Sequence, residues 1–265
     1  MSTVFQEPQA LISGRLRRLV LFLPLLIGVA SVTADLRPAV SEDAGNAEAV
    51  QAVRDATVQI RMCIPVAVAR FECVDGLGTL VGRPGERLLV THDHWGRYVT
   101  EAVLVEFLDA DGALSLELDG DTFRRLVRFR DGGTMIVQAP TALQPQGVAA
   151  LDNEAAGRGD VVLVVHQRPG DEDTVSVLEA VVLAVETMEG RPVYRLQTAN
   201  GEAIVRGDSG GGVWHDGRLV GNLWARELIA PDTATDVGLA AVYPLGLGEV
   251  TGRQPATVGI DQLEN

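Results

Sequence analysis

The chain contains no lysine: all 22 basic residues are arginine, against 36 acidic ones, for a net charge of −14. A protein this acidic lacks the electrostatic footprint of a nucleic-acid binder, and it offers no basic patch to a membrane surface. The missing lysine reads as compositional bias, and the spread acidic charge as solvated surface. Only two cysteines occur, Cys63 and Cys73, too few for a structural zinc site, which wants four ligands. There is no internal repeat, and sustained helical periodicity is absent. Gly 29 and Pro 12 favour turns instead. No apolar run reaches the ~20 residues of a spanning helix.

What is present suffices for one large or two small domains: 265 residues, 46% of them hydrophobic. Residues 1–34 have the form of a signal peptide or membrane anchor. Arg15, Arg17 and Arg18 precede an apolar run from Leu19 to Val32, and Val32-Thr33-Ala34 ends in a small residue suited to cleavage. Either form keeps the basic flank cytoplasmic and places the body outside. In an exported chain the two cysteines read as one disulfide, Cys63 to Cys73.

Residues 35–57 form a polar lead-in, with a helix start at Ser41, Glu42 and Asp43 and a shared face at Val50 and Val53. Short β-type runs follow at 58–68, 76–82, 87–95, 102–109, 114–119 and 122–130, with a further run at 134–139. A linker around 140–159 separates these from runs at 160–167, 174–188, 192–198, 212–214, 218–227 and 237–243. His215-Asp216-Gly217 supplies a hairpin turn. Two groups of about six strands predict an all-β chain of two barrels or sandwiches. The limits are 58–145 and 146–250, with a C-terminal tail over 251–265.

Chemistry concentrates at Gly207-Asp208-Ser209-Gly210-Gly211-Gly212. A serine between glycines suits a nucleophile on a tight loop whose N–H groups face a developing oxyanion, although such glycines also make ordinary turns. Upstream, Leu88-Leu89-Val90-Thr91-His92-Asp93-His94-Trp95 is an apolar strand delivering two histidines at its end. One of them suits a general base for the serine. Asp131-Gly132-Gly133-Thr134-Met135 opens another strand with an acid that would orient the imidazole.

In this order and setting, the histidine, aspartate and serine segments resemble the trypsin-like serine proteases, most of all the bacterial HtrA-type domains. Gly76-Leu77-Gly78-Thr79-Leu80-Val81, Thr91-His92-Asp93-His94, Gly159-Asp160-Val161-Val162, Leu196-Gln197-Thr198, Val237-Gly238-Leu239-Ala240 and Pro244 resemble the family's landmarks. The resemblance runs through most of residues 58–246. It implies two six-stranded antiparallel β-barrels with the active site in the cleft between them. It implies Ser209 as nucleophile, His94 rather than His92 as base, and Asp131 as orienting acid. The oxyanion hole falls to the N–H groups of Gly207 and Ser209. The pocket for the substrate side chain falls to Ala203, Ile204, Trp224, Ala225, Arg226 and Gly238.

Departures from the family pattern sharpen these expectations. Gly132 stands where the residue after the acid is usually apolar, and a two-residue shift in register would put Gly133 in the acid's place. No buried aspartate marks a preference for basic side chains, while Trp224 would narrow the pocket and Arg226 would suit an acidic group. No animal-type activation site precedes residue 58, so Asp208 needs another partner, either Arg206 or a cluster of main-chain N–H groups. The peptide-binding domain common in HtrA-type chains is not expected here.

The expected activity is therefore an exported serine endopeptidase acting on polypeptides through a Ser-His-Asp triad, with no cofactor and no metal. Two alternatives stand beside it. One is a protease-like binding module without turnover. The other is a zinc hydrolase built on His92 and His94, since Thr-His-x-His resembles the opening of a metallo-β-lactamase signature. That signature's later acid and histidine are replaced by Gly96 and Arg97. His166 and His215 are expected to carry no chemistry.

Overall fold

In the computed structural model, described residues run from 44 to 242. Residues 83–85, 132, 145, 152–155, 169–170, 189, 200, 203, 206 and 227–236 fall outside the description. The leader, the helix-start residues 41–43 and the tail thus lie outside the described residues. Helix α1 (Ala44–Asp55) leads into β1 (Thr57–Ala67), β2 (Arg70–Val81) and β3 (Leu88–His92). Then come α2 (Arg97–Glu101), β4 (Leu104–Leu108), β5 (Leu114–Asp119), α3 (Gly120–Leu126), β6 (Val127–Arg130) and β7 (Thr134–Gln138). The second half holds β8 (Ala150–Leu151), β9 (Val161–Arg168), β10 (Asp171–Met188), β11 (Arg191–Thr198), β12 (Gly212–His215), β13 (Arg218–Arg226) and β14 (Val237–Val242).

These strands form two sheets, ordered β5-β4-β1-β2-β3-β7-β6 and β12-β9-β10-β11-β14-β13-β8. In the second, β12 also pairs with β13, so the pairings of six strands return to their starting strand, and β8 is an added parallel neighbour of β13. The first sheet has seven strands rather than the expected six, because residues 134–138 add a full member. The single strand expected over 122–130 is instead α3 followed by β6. Asp119 starts that helix by accepting the Thr122 N–H at 2.8 Å and the Thr122 hydroxyl at 2.7 Å. Phe123 then enters the core beside Phe107, with ring centroids 6.3 Å apart.

Alternation along the strands explains how the sheets stack. Leu80 of β2, Leu89 of β3, and Met135 and Val137 of β7 join Val58, Ile60 and Met62 in the first core. Their neighbours Leu77, Val81, Leu88, Val90 and Ile136 point the other way, into a second cluster with Val165, Trp214 and Leu219. With a side-chain period of two, a strand apolar at every position must be covered on both faces. Strand β3 is buried throughout for that reason. Val53 and Ala56, from α1 and the residue following it, lie in the same shared cluster, so the lead-in is part of the packed structure. Val162, Val164, Ala180, Val182, Tyr194 and Leu196 fill the core of the second sheet.

Cys63 and Cys73 sit directly opposite each other on β1 and β2 and form a disulfide. Asp216 (φ 48°) and Gly217 (φ 73°) make the tight turn between β12 and β13. The expected linker carries β8, whose Ala150 and Leu151 pair with Arg218 and Leu219.

Candidate active site

The serine turn is built by the glycines around it. Gly210 has φ +88°, and a Cβ there would lie 2.0 Å from the Leu77 carbonyl oxygen, so no other residue fits without displacing backbone. That contact is close because the two sheets are joined here: the Leu77 N–H donates to the Ser209 carbonyl at 2.9 Å. The turn is also bonded to β13, with Gly210 N–H to Leu223 O and Leu223 N–H to Gly211 O, both 2.8 Å. A second polar tie between the sheets is the Thr134 hydroxyl, which donates to Asn222 Oδ1 at 2.9 Å.

Asp208 is fully buried. Its carboxylate accepts the Gln167 N–H at 2.8 Å and the Val205 N–H at 2.7 Å, so main-chain groups meet part of its buried charge. Arg206, the other partner considered, lies outside the described residues. Asp208→Ala would leave both N–H groups buried without acceptors. It is expected to cost about 3 kcal/mol in denaturant unfolding, and an unchanged unfolding curve would refute that role.

The N–H groups of this turn divide into two sets. Those of Asp208, Gly210 and Gly211 are bonded to Val205 O, Leu223 O and Asp208 O. Those of Gly207 and Ser209 have no hydrogen-bond acceptor among the described residues. These two donors flank one aspartate beside a half-buried serine.

Strand β3 ends at His92, and His94 follows on the turn before α2. His94 is exposed. Its ring centroid lies 5.9 Å from Trp224 of β13 and 5.3 Å from His92, so the histidine of the first sheet meets a side chain of the second. Partial burial lowers its pKa below 6.5, and the neighbouring Asp93 charge opposes that shift. Asp93 is ion-paired with Arg130, and its N–H donates to Gly133 O at 3.2 Å. The histidine turn is thereby tied to the loop that carries Asp131.

Asp131 Oδ1 accepts the Gly133 N–H at 3.0 Å and the Thr134 N–H at 2.7 Å. Among the described residues no hydrogen bond joins Asp131 to the His94 ring, nor the Ser209 hydroxyl to that ring. Of the expected pocket residues, Trp224 is buried beside His94, and Ile204 packs in the second sheet's core. The backbones of Arg226 and Gly238 pair across β13 and β14. Ala203 lies outside the described residues, and Ala225 is placed by its backbone alone. His166 is buried on β9 with Nε2 3.7 Å from Glu202 Oε2, and His215 Nε2 stands 3.7 Å from Asp160 Oδ2.

Sequence reasoning missed three contributors: Thr134 and Asn222, and Gln167, whose side chain lies against Gly207. Nothing local marks any of them. No group of three or more His, Cys, Asp or Glu that could hold a metal is present among the described residues, so His92 and His94 find no third ligand.

No family description and no curated protein matches this sequence. Solved structures do match. The Rv3671c protease of M. tuberculosis in its active form aligns with TM-score 0.55 and 18% identity over 81% of this chain and 88% of that one. Its inactive form gives 0.53 and 19% over 78% and 91%. The HtrA-type protease AlgW, solved with a decapeptide, gives 0.56 and 16% over 78% of this chain and 66% of its own. The fold is trypsin-like. Within a trypsin-like fold, Ser209 and His94 come from different sheets and stand where those sheets meet. Among the described residues no helix is long and apolar enough to cross a membrane.

Proposed function

We propose that the chain is an exported serine endopeptidase. Ser209 attacks the peptide carbonyl while His94 takes its proton, the acyl-enzyme forms as the amine leaves, and water hydrolyses it with His94 again as base. Gly207 and Ser209 N–H groups hold the oxyanion. The observation that carries this reading is the serine turn itself, in which the Gly207 and Ser209 N–H groups have no acceptor among the described residues while those of Asp208, Gly210 and Gly211 are bonded. The trypsin-like fold and the position of His94 against Trp224 support it. Export is supported by the basic-apolar leader and by the disulfide, which persists in oxidising compartments.

Asp131 is the acid we assign to the pair, from its place in the sequence pattern and from the Asp93–Arg130 tie between its loop and the histidine turn. Asparagine at 131 accepts the same two N–H bonds. Asp131→Asn is therefore expected to keep the unfolding midpoint and lower kcat at least about a hundredfold through lost charge. Unchanged kcat would remove Asp131 from the mechanism.

The decisive test of the whole reading is a fluorophosphonate probe. It is expected to label the wild-type protein on Ser209 and to leave Ser209→Ala unlabelled. Labelling of neither protein, with peptides still bound, would favour the binding-module alternative.

A further inference from the structure

We infer that His92 is a positioning residue for His94, its imidazole acting as the acceptor that sets the histidine turn. His92 Nδ1 accepts the His94 main-chain N–H at 3.0 Å. Because Nδ1 is the acceptor, the ring proton sits on Nε2. Nε2 is buried and has no hydrogen-bond partner among the described residues. The ring is stacked on Trp95, with centroids 4.2 Å apart and planes at 29°. On another side is Gly76, where a Cβ would come within 2.9 Å of Nε2 and 2.7 Å of the Trp95 ring.

The plain alternative is that His92 is a flat packing residue under Trp95. An apolar ring would fill that role without leaving an orphaned buried donor, which is costly. The chain keeps a polar ring here, and its one satisfied atom is bonded to His94. Four residues, 93–96, lead from β3 to α2; Asp93 ties their start to Gly133 and Arg130, and the bond to His92 fixes the peptide that carries the base. The inference rests on His94 being the base of the proposed endopeptidase, since only then does the bond matter to turnover.

The test uses the full chain. His92→Phe keeps a ring against Trp95 and removes the acceptor, while His92→Asn offers a side-chain oxygen to the same N–H. Fluorophosphonate labelling of Ser209, and kcat on a peptide, are expected to fall about a hundredfold in His92→Phe with KM within twofold. In His92→Asn they are expected to recover to within about fivefold of wild type. Labelling of His92→Phe at the wild-type rate would overturn the inference, as would His92→Asn being as slow as His92→Phe. A second measurement does not depend on activity: nitrogen NMR of the wild-type His92 ring. A bare Nδ1 and a protonated Nε2 are expected, and a proton on Nδ1 overturns the inference even if the labelling experiment has already refuted the endopeptidase reading.

Discussion

Replacing His94 with alanine is expected to lower kcat by about 10⁶-fold while leaving the unfolding midpoint in place. The size follows from the role: without a base the Ser209 hydroxyl stays protonated, and the remaining donors of the serine turn bind an oxyanion that seldom forms. Stability should hold because the His94 ring is only partly covered and forms no hydrogen bond among the described residues. On the proposed mechanism the same histidine is expected to set the acid limb of the wild-type pH profile. Catalysis needs the neutral ring, and its pKa is lowered from 6.5 by burial against the opposing Asp93 charge. Activity should therefore rise with pH and reach half its plateau below pH 6.5. An acid limb centred above that value, or an alanine variant within tenfold of wild type, would be incompatible with His94 as base.

The second large effect concerns stability in acid. His92 has its pKa lowered to about 3, by burial first and by the nearby His94 second. The unfolded chain takes up this proton near the ordinary 6.5, whereas the folded chain refuses it until about pH 3. Between those values the unfolded state binds more protons, so unfolding becomes easier as pH falls, by about 1.4 kcal/mol per unit for this one group. Above pH 6.5 it contributes no slope. Over the whole window the loss is on the order of 4–5 kcal/mol, comparable to a large share of a domain's stability. Denaturant unfolding across the series is expected to show this slope in wild type and a shallower one in His92→Phe. Parallel curves for the two proteins would show that His92 is not the group responsible.

Much of this arrangement was legible in the residues. The alternating apolar runs predict β1 to β5, β7 and the strands of the second sheet other than β8, because a period of two needs no knowledge of neighbours. Helix α1 and the Cys63–Cys73 pairing were read correctly from local signals. The helix at α3 was not, although Asp119 and Thr122 form a cap: Phe123, Leu126, Val127 and Phe129 look like a strand until the packing of Phe123 against Phe107 decides the matter. The sequence pattern excludes His92 as the base and gives it no other role. Its bond to His94 depends on a turn geometry that no spacing rule specifies.

By itself, the sequence determined which residues are chemically capable and roughly where strands begin and end. Glycine freedom, imidazole basicity and side-chain alternation are properties of residues and their near neighbours. Only the tertiary structure decided which groups meet and which are already spent. Leu77 bonded to Ser209, Asp208 satisfied by Gln167 and Val205, and Asp131 turned onto Gly133 and Thr134 all concern where hydrogen bonds go. A donor or acceptor is available for catalysis only if the folded backbone has not used it, and that accounting closes over the whole molecule.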